Sequence, residues 1–337
     1  MLIIDESTQS CELSSLIPTQ LNIKSIILVG DEAQLPATVI SNAGVIFGYS
    51  KSFFERCIQN GIKPYLLNIQ YRMHPHIRLW PSIKFYNNKL IDSPNIYKRI
   101  IPNCHKNDPR FGPYTFFDCF YGQEESSGVC NKSYINRCEI DFILRLLDYM
   151  SFKFYQTKDQ YKWKGNVGIV TPYQAQVISL RKKLREHRNK RLHSITVNTV
   201  ESFQGQEKDI IIFSCVRAQR KVLETKSIIK GNLGFLIDVR RLNVALTRAK
   251  CCCIIVGSSA TLRSDKNWKQ LIQDAHNRGC AYKVDTSDNK AFLLRSSNQF
   301  INTKDDLNQT KMSFMSDAQI AKKLNIPQPP SDPRLRK

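Results

Sequence analysis

The sequence predicts an α/β protein whose parallel sheet is flanked by helices. Three observations point there. Short apolar runs alternate with amphipathic stretches along most of the 337 residues, the rhythm of strands joined by crossover helices. Pro172 follows the apolar run 167–171 and precedes a helical pattern, so it marks a strand-to-helix corner and not a strand interior. Two runs, LIIDE (2–6) and ILVGDE (27–32), end in carboxylates, and the carboxyl ends of strands are where open α/β sheets bind ligands.

Strands are expected at 2–4, 25–29, 65–69, 115–118, 167–171, 195–200, 209–216 and 252–256, where apolar and β-branched residues cluster. Helices are expected at 10–16, 51–59, 75–86, 135–150, 173–187, 238–247 and 266–277. In the fifth of these, Tyr173, Val177, Leu180 and Leu184 recur at helical spacing and form one apolar face. A boundary is placed near NGIKP. Residues 1–63 then hold two strands and two helices, too little for a core of their own. Residues 64–285 form a full-sized α/β domain, and 286–337 turn polar and read as a disordered tail.

Composition narrows the partners. A hydrophobic fraction of 42% suits a globular chain, and 50 Lys+Arg against 29 Asp+Glu leave a net charge of +21. Such a charge favours a polyanion, nucleic acid before a membrane surface, although a merely lysine-rich chain would look the same. Eleven cysteines include no C-x-x-C pair, and CCCIIVG (251–257) reads as a buried strand, not a zinc site. A reducing compartment inside the cell is expected, and no apolar run is long enough to span a bilayer.

Five short stretches carry candidate chemistry. Asp5 and Glu6 close the first strand; one carboxylate there can hold Mg²⁺ and its neighbour can orient a water against a phosphate. Asp-Glu after apolar residues is also an ordinary strand exit. In IILVGDEAQLPATV (26–39) a second strand ends in Gly30-Asp31, placing Gln34 to sense a γ-phosphate and Pro36 to turn the chain outward; the plainer reading is a βα loop. In QYRMHP (70–75), Tyr71 can stack on a base and Arg72 can clamp phosphate oxygens; a core tyrosine and a surface ion pair are the alternatives. In TVESFQGQEKDIIIFSCVR (199–217), Gly205 permits close backbone approach and Glu207 can accept ribose hydroxyls, or the segment is a plain turn. In RRLNVALTRAK (240–250), Leu242, Ala245 and Leu246 face inward. Arg248 is then held at a helix end, a good setting for an arginine finger, while Arg240, Arg241 and Lys250 read as a solvated basic face. A further basic run, RKKLREHRNKR (181–191), has Arg181, Arg185 and Arg188 on one helix face; it suits a nucleic-acid backbone or simply a solvated exterior.

Taken in order, DEST, GDEAQL, QYRMHP, the TVESFQGQEKD block and RRLNVALTRAK resemble motifs II to VI of a superfamily 1 helicase of the up-frameshift/senataxin branch. TPYQAQ (171–176) resembles that branch's motif between IV and V, and FGPYTFFDCFYGQE with SYINRCEI lies closer to senataxin. The likeness covers about residues 1–285. It implies RecA-like domains, ATP and Mg²⁺ as cofactors, and single-stranded RNA or DNA, or an RNA–DNA hybrid, as partner. By motif, Asp5 would bind the metal and Glu6 activate water. Gln34, Arg72 and Arg248 would contact the γ-phosphate. Tyr71 would stack near the base, and Gly205 and Glu207 would hold the nucleotide. Pro36, Thr171, Pro172, Tyr173 and Thr199 would touch the strand. The senataxin likeness also implies a nuclear protein, with the cytoplasm as the alternative.

The sequence departs from the family pattern at Ser7 and Thr8, usually Ala; at Ala33, usually Lys; and at Gln206, commonly Arg. No G-x-x-x-x-G-K-S/T occurs in the 337 residues. The phosphate loop is therefore expected upstream of Met1, and the chain is expected to be the C-terminal segment of a helicase, inactive alone. A nucleic-acid-binding module without ATPase activity, or a partner completing a helicase from another chain, are the rival readings.

Overall fold

A computed structural model describes residues 1–97, 108–127, 133–156, 164–219 and 233–284. The expected tail at 286–337 lies outside them. Residues 1–68 group with 238–244 as one compact unit, and the described residues of 69–237 and 245–284 form a second.

In the first unit, β1 (Leu2–Ile4), α1 (Glu12–Leu16), β2 (Ile26–Leu28), α2 (Asn42–Ile46) and α3 (Phe53–Gln59) follow in order. β1 and β2 pair in parallel, Ile3 opposite Ile27. Local chemistry sets the helix starts. Ser41 accepts from the amide of Gly44 at the start of α2, and Ser52 with Glu55 forms a full capping box on α3. Arg56 of α3 pairs with Glu12 of α1. The buried apolar residues of this unit are Leu35, Ala37, Leu242 and Val244, while Ile3, Ile27 and Val29 stay exposed.

The second unit continues with β3 (Ile69–Gln70), α4 (Pro75–Phe85), β4 (Ile91–Asp92), α5 (Pro94–Tyr97), β5 (Tyr114–Asp118), β6 (Glu125–Ser126) and β7 (Tyr134–Ile135). Next come α6 (Arg137–Gln156), β8 (Val167–Thr171), α7 (Gln174–Arg185), β9 (Thr196–Thr199) and β10 (Lys208–Ser214). The chain then runs through α8 (Val239–Thr247), β11 (Ala249–Gly257), α9 (Ser259–Leu262), α10 (Lys266–Asn277) and β12 (Ala281–Lys283). Six strands form one sheet in the order β12-β5-β11-β10-β8-β9, every pairing parallel.

The two central strands explain the sheet. β10 (KDIIIFS) and β11 (AKCCCIIVG) are nearly continuous apolar runs, as strands covered on both faces must be. Ile212 lies opposite Ile254 and Phe213 opposite Ile255. Alternation sends Ile210, Ile212, Ile254 and Val256 to one core, where they meet Phe142, Ile143, Leu146 and Leu147 of α6 and Val177, Leu180 and Leu184 of α7. Phe213 faces the other way and stacks on Trp268 of α10, ring centroids 6.0 Å apart. The Trp268 indole donates to the carbonyl of Leu236 at 2.8 Å, and Asp265 caps α10 through the amides of Asn267 and Trp268. The expected α/β class, the parallel sheet with its helices, and the buried reading of CCCIIVG all hold.

One expected strand differs. YLLNI (65–69) is apolar, yet Tyr65 and Leu67 are exposed and pairing begins only at Ile69, opposite Ile91. An apolar run without a neighbouring strand to accept its hydrogen bonds does not become one. β12 was not expected because AYK carries no apolar run; it is recruited by Phe116 and Phe117 of β5. Among the described residues no helix is long and apolar enough to cross a membrane.

The contrast in cores yields a prediction. Local stability follows buried apolar contact, so limited proteolysis should cut within 1–68 before 164–219. Equal protection of both segments would contradict it.

Candidate functional site

In the first unit the candidate carboxylates leave the end of β1. Glu6 is in the left-handed backbone region, φ 49° and ψ 36°, a strained setting for a residue with a Cβ. Its amide donates to Asp5 Oδ1 at 2.8 Å, and both residues are exposed. Gln9 donates to Glu6 Oε2 at 2.6 Å and holds that carboxylate. Motif reading passed over Gln9, although its spacing three residues after Glu6 is the available signal.

The two departures beside Glu6 have a physical role. Ser7 Oγ donates to the carbonyl of Val29 at 2.8 Å and Thr8 Oγ1 to that of Asp31 at 3.3 Å, tying the end of β1 to the loop after β2. The close approach requires Gly30, where an added Cβ would stand 2.9 Å from Thr8 Cγ2. Asp31 organises the following loop: Oδ2 accepts from Gln34 Nε2 at 2.9 Å and Oδ1 from the Ala33 amide at 3.0 Å. Pro36 is half-buried just beyond, and Asn243 donates to the Ala33 carbonyl at 2.9 Å.

In the second unit, three motifs distant in sequence meet. Arg72 Nε donates to Glu207 Oε2 at 2.7 Å, and its Nη1 to the carbonyl of Thr247 at 3.3 Å. Lys250 Nζ reaches Glu207 Oε1 at 2.6 Å. Arg248 is buried, with Nη1 3.3 Å from the Gln206 carbonyl. Gln70 was not singled out, yet it shapes this turn: its Oε1 accepts from the amides of Arg72 and Met73, and its Nε2 donates to the Met73 carbonyl at 2.8 Å. Tyr71 is exposed, and Gly205 has φ 74° with open space where a Cβ would stand. Lys250, read as part of a solvated face, instead shares Glu207; Arg240 pairs with Glu55 at 3.0 Å and Arg241 with Asp238 at 2.9 Å.

The remaining candidates lie at the carboxyl ends of β8 and β9. Thr171, Pro172 and Tyr173 are buried. Tyr173 Oη donates to the carbonyl of Leu233 at 3.1 Å, and Thr199 Oγ1 donates to Ser202 Oγ at 3.2 Å. Arg181 of the basic run turns onto the outer strand β9, donating to the Val197 carbonyl at 2.9 and 2.7 Å.

Comparison with known proteins identifies the family. Two AAA-domain family models match, one over residues 49–260 and one over 1–42. The chain belongs to this AAA-domain family. Within it, the chain is a superfamily 1 helicase domain resembling the senataxin/SEN1/UPF1 branch. It is 42% identical over 280 residues to the helicase SEN1 of Saccharomyces cerevisiae, covering 83% of this chain and 12% of that protein. It is 39% identical to the probable helicase MAGATAMA 3 of Arabidopsis thaliana, covering 87% and 34%, and 38% identical to the human probable helicase senataxin, covering 84% and 10%. The chain thus spans about a third or less of the length of these relatives.

The family uses ATP and Mg²⁺. Asp5 and Glu6 suit a hard cation of that kind, because Mg²⁺ takes one or two carboxylates and fills its other positions with water and phosphate oxygens. Among the described residues no group of three or more His, Cys, Asp or Glu could hold a metal by itself.

Charge at Glu207 can be checked directly. The hydrogen bond from Lys250 holds its carboxyl below the usual carboxylate range; burial opposes this and Arg72 adds to it. A depressed folded pKa means that the pairing stabilises the fold above the unfolded value of about 4.3 and is lost as pH falls through the folded one. Carboxyl ¹³C titration should place Glu207 below an ordinary glutamate, and Lys250→Met should move it up. An unchanged midpoint in the variant would remove Lys250 as the cause.

Proposed function

We propose that the chain is the C-terminal segment of an ATP-dependent helicase acting on RNA, DNA or RNA–DNA hybrids. The observation that supports this best is the meeting of three separate motifs, with Arg72 and Lys250 on the Glu207 carboxylate and Arg248 on the neighbouring Gln206 carbonyl. Planar guanidinium groups held by fixed acceptors suit a phosphoryl group whose charge develops during transfer. In this reading Asp5 holds Mg²⁺, Glu6 orients the attacking water, and Gln34, Arg72 and Arg248 contact the γ-phosphate. Tyr71 stacks near the base, and Gly205 with Glu207 holds the nucleotide. Pro36 in the first unit and Thr171, Pro172, Tyr173 and Thr199 in the second belong to the segments that meet a single strand. Residues 1–63 belong to a first RecA-like domain and 64–285 to a second, followed by a polar tail. The nuclear reading rests on the senataxin likeness.

Two outcomes test the proposal. The chain should bind a fluorescein-labelled single strand with little base preference. Because phosphate contacts release counterions, its log affinity should fall with log salt at a slope of about −0.7 per phosphate contacted. Salt-independent anisotropy would count against a strand-binding surface.

The second concerns hydrolysis. These 337 residues hold no phosphate-loop motif, so turnover should be measured after joining them to a segment that has one. There Glu6→Gln should abolish turnover and spare ATP binding. Arg248→Ala should cut it by about three orders of magnitude or more, the range an arginine finger supplies. Strand binding without hydrolysis in the joined protein would leave the binding-module reading instead.

A further inference from the structure

A second polar cluster, fully buried and apart from the Arg72–Glu207 group, lies at the carboxyl end of β10. Its centre is a strained turn. Val216 has φ 68° and is completely buried. The Arg217 amide donates to the Cys215 carbonyl at 2.7 Å, closing a three-residue γ-turn with Val216 at its middle. Such turns are rare, and a β-branched residue is a poor occupant of positive φ. Something must hold it.

What holds it is the start of α6. Val216 donates its amide to Glu139 Oε2 at 2.9 Å, and its carbonyl accepts from Asn136 Nδ2 at 2.9 Å. Both polar groups of the strained residue are thus taken by one helix terminus. Ser214 Oγ donates to the same Glu139 oxygen at 2.7 Å. Gln176 of α7 closes the network, donating to Ser214 Oγ at 3.0 Å and accepting from the Asn136 amide at 3.0 Å. Asn136 also caps α6 through the Glu139 amide at 3.0 Å.

The turn aims the next side chain. Arg217 is buried and makes a two-pronged pair with Glu124, at 2.8 and 2.9 Å. Its Nη1 stands 3.4 Å from Tyr173 Oη, and its guanidinium lies over the Tyr134 ring, 4.3 Å from the centroid. The Ala218 amide donates to Glu124 as well, at 2.8 Å. A relaxed backbone at Val216 would redirect Arg217 and remove its contact with Tyr173, which would keep its bond to the Leu233 carbonyl. Tyr173 ends the 171–173 segment proposed above to meet the strand.

We propose that Glu139 is a positioning residue: through Ser214 and the Val216 amide it holds the γ-turn, and the turn seats Arg217 against Tyr173 of the strand-binding surface. The inference rests on the strand-binding reading. Burial, the dominant influence, pushes the Glu139 carboxyl up to about 8, yet an apolar residue in its place would leave the Ser214 and Val216 donors stranded. Asn136 Nδ2 also approaches Oε1 at 3.3 Å, but the turn needs the acceptor that serves two donors at Oε2. A glutamine carbonyl can take that place.

The test uses anisotropy with a fluorescein-labelled oligo(U) single strand at low salt, with circular dichroism to check folding. Glu139→Ala releases the turn and with it the seat of Arg217, so it should weaken binding about tenfold, the scale of one lost charge-assisted hydrogen bond. Glu139→Gln should stay within about threefold of the unchanged chain. Glycine adopts positive φ without support, so adding Val216→Gly to Glu139→Ala should recover most of the loss. A helix staple with no role in the turn would gain nothing from a change that only removes packing. If Glu139→Ala fails to fold, Arg217→Lys carries the test: it leaves the network intact and should still lose about tenfold, because an ammonium cannot replace the two-pronged contact. Wild-type affinity in folded Glu139→Ala or in Arg217→Lys, or no recovery with glycine, overturns the inference while the strand-binding reading stands. No binding by the unchanged chain overturns both.

Discussion

The six-stranded sheet depends on one constraint, the burial of β10 on both faces between two parallel neighbours. Ile210, Ile211, Ile212 and Phe213 fill the middle of the strand with buried apolar side chains, leaving its polar residues to the two ends. An unsatisfied polar group there would cost about 1–3 kcal/mol. Chemistry is therefore pushed to the two ends. At the amino end, Glu207 precedes β10 and Arg248 precedes β11, joined by the bond from the Lys208 amide to the Arg248 carbonyl at 3.0 Å. At the carboxyl end, Ser214 begins the turn that seats Arg217. Open α/β sheets are expected to bind ligands at their carboxyl ends. Here the arginine-rich cluster lies at the amino ends of β10 and β11, and the carboxyl ends of β8 and β10 carry a different set of groups.

The amino-end cluster is an orienting device more than a source of stability. Its carboxylate is partly exposed, and pairs of that kind contribute about 0–1 kcal/mol. Its value is geometric. Glu207 takes Arg72 on one oxygen and Lys250 on the other, and Gln70 fixes the backbone on which Arg72 stands. Arg248 is buried beside them at the junction of α8 and β11. The Arg72 guanidinium is thereby oriented by two acceptors, the Glu207 carboxylate and the Thr247 carbonyl.

Much of this was legible in the sequence. The apolar runs of β8, β10 and β11 announce strands, and the spacing of Val177, Leu180 and Leu184 announces α7, because burial imposes period and composition together. The order of motifs announced the family. What escaped was contact chemistry. Gln9 and Gln70 act on neighbours only a few residues away, but nothing in a local pattern marks an amide as an organiser. Lys250 read as solvated because its partner lies 43 positions earlier in the chain, a separation that no periodicity spans. Asn136, Glu139, Gln176 and Ser214 looked like ordinary polar residues of helices and a strand end. Only the fold makes them one buried network.

The two ends of the sheet obey different electrostatics. Around Glu207 the charges face water, so salt screens them and their pairing competes with hydration. Around Glu139 no water competes; each donor in the cluster has a specific acceptor, and removing one strands another. The first arrangement stays open to solvent and its ions. The second resists change, which suits the support of a strained backbone at Val216. Their distribution follows from the sheet itself. Gln206 and Glu207 lie on an exposed loop. The Cys215–Arg217 turn is enclosed by α6, α7 and the segment around Glu124. A solvent-facing charged site and a rigid support can thus coexist at opposite ends of one strand because its buried apolar run 210–213 holds them apart.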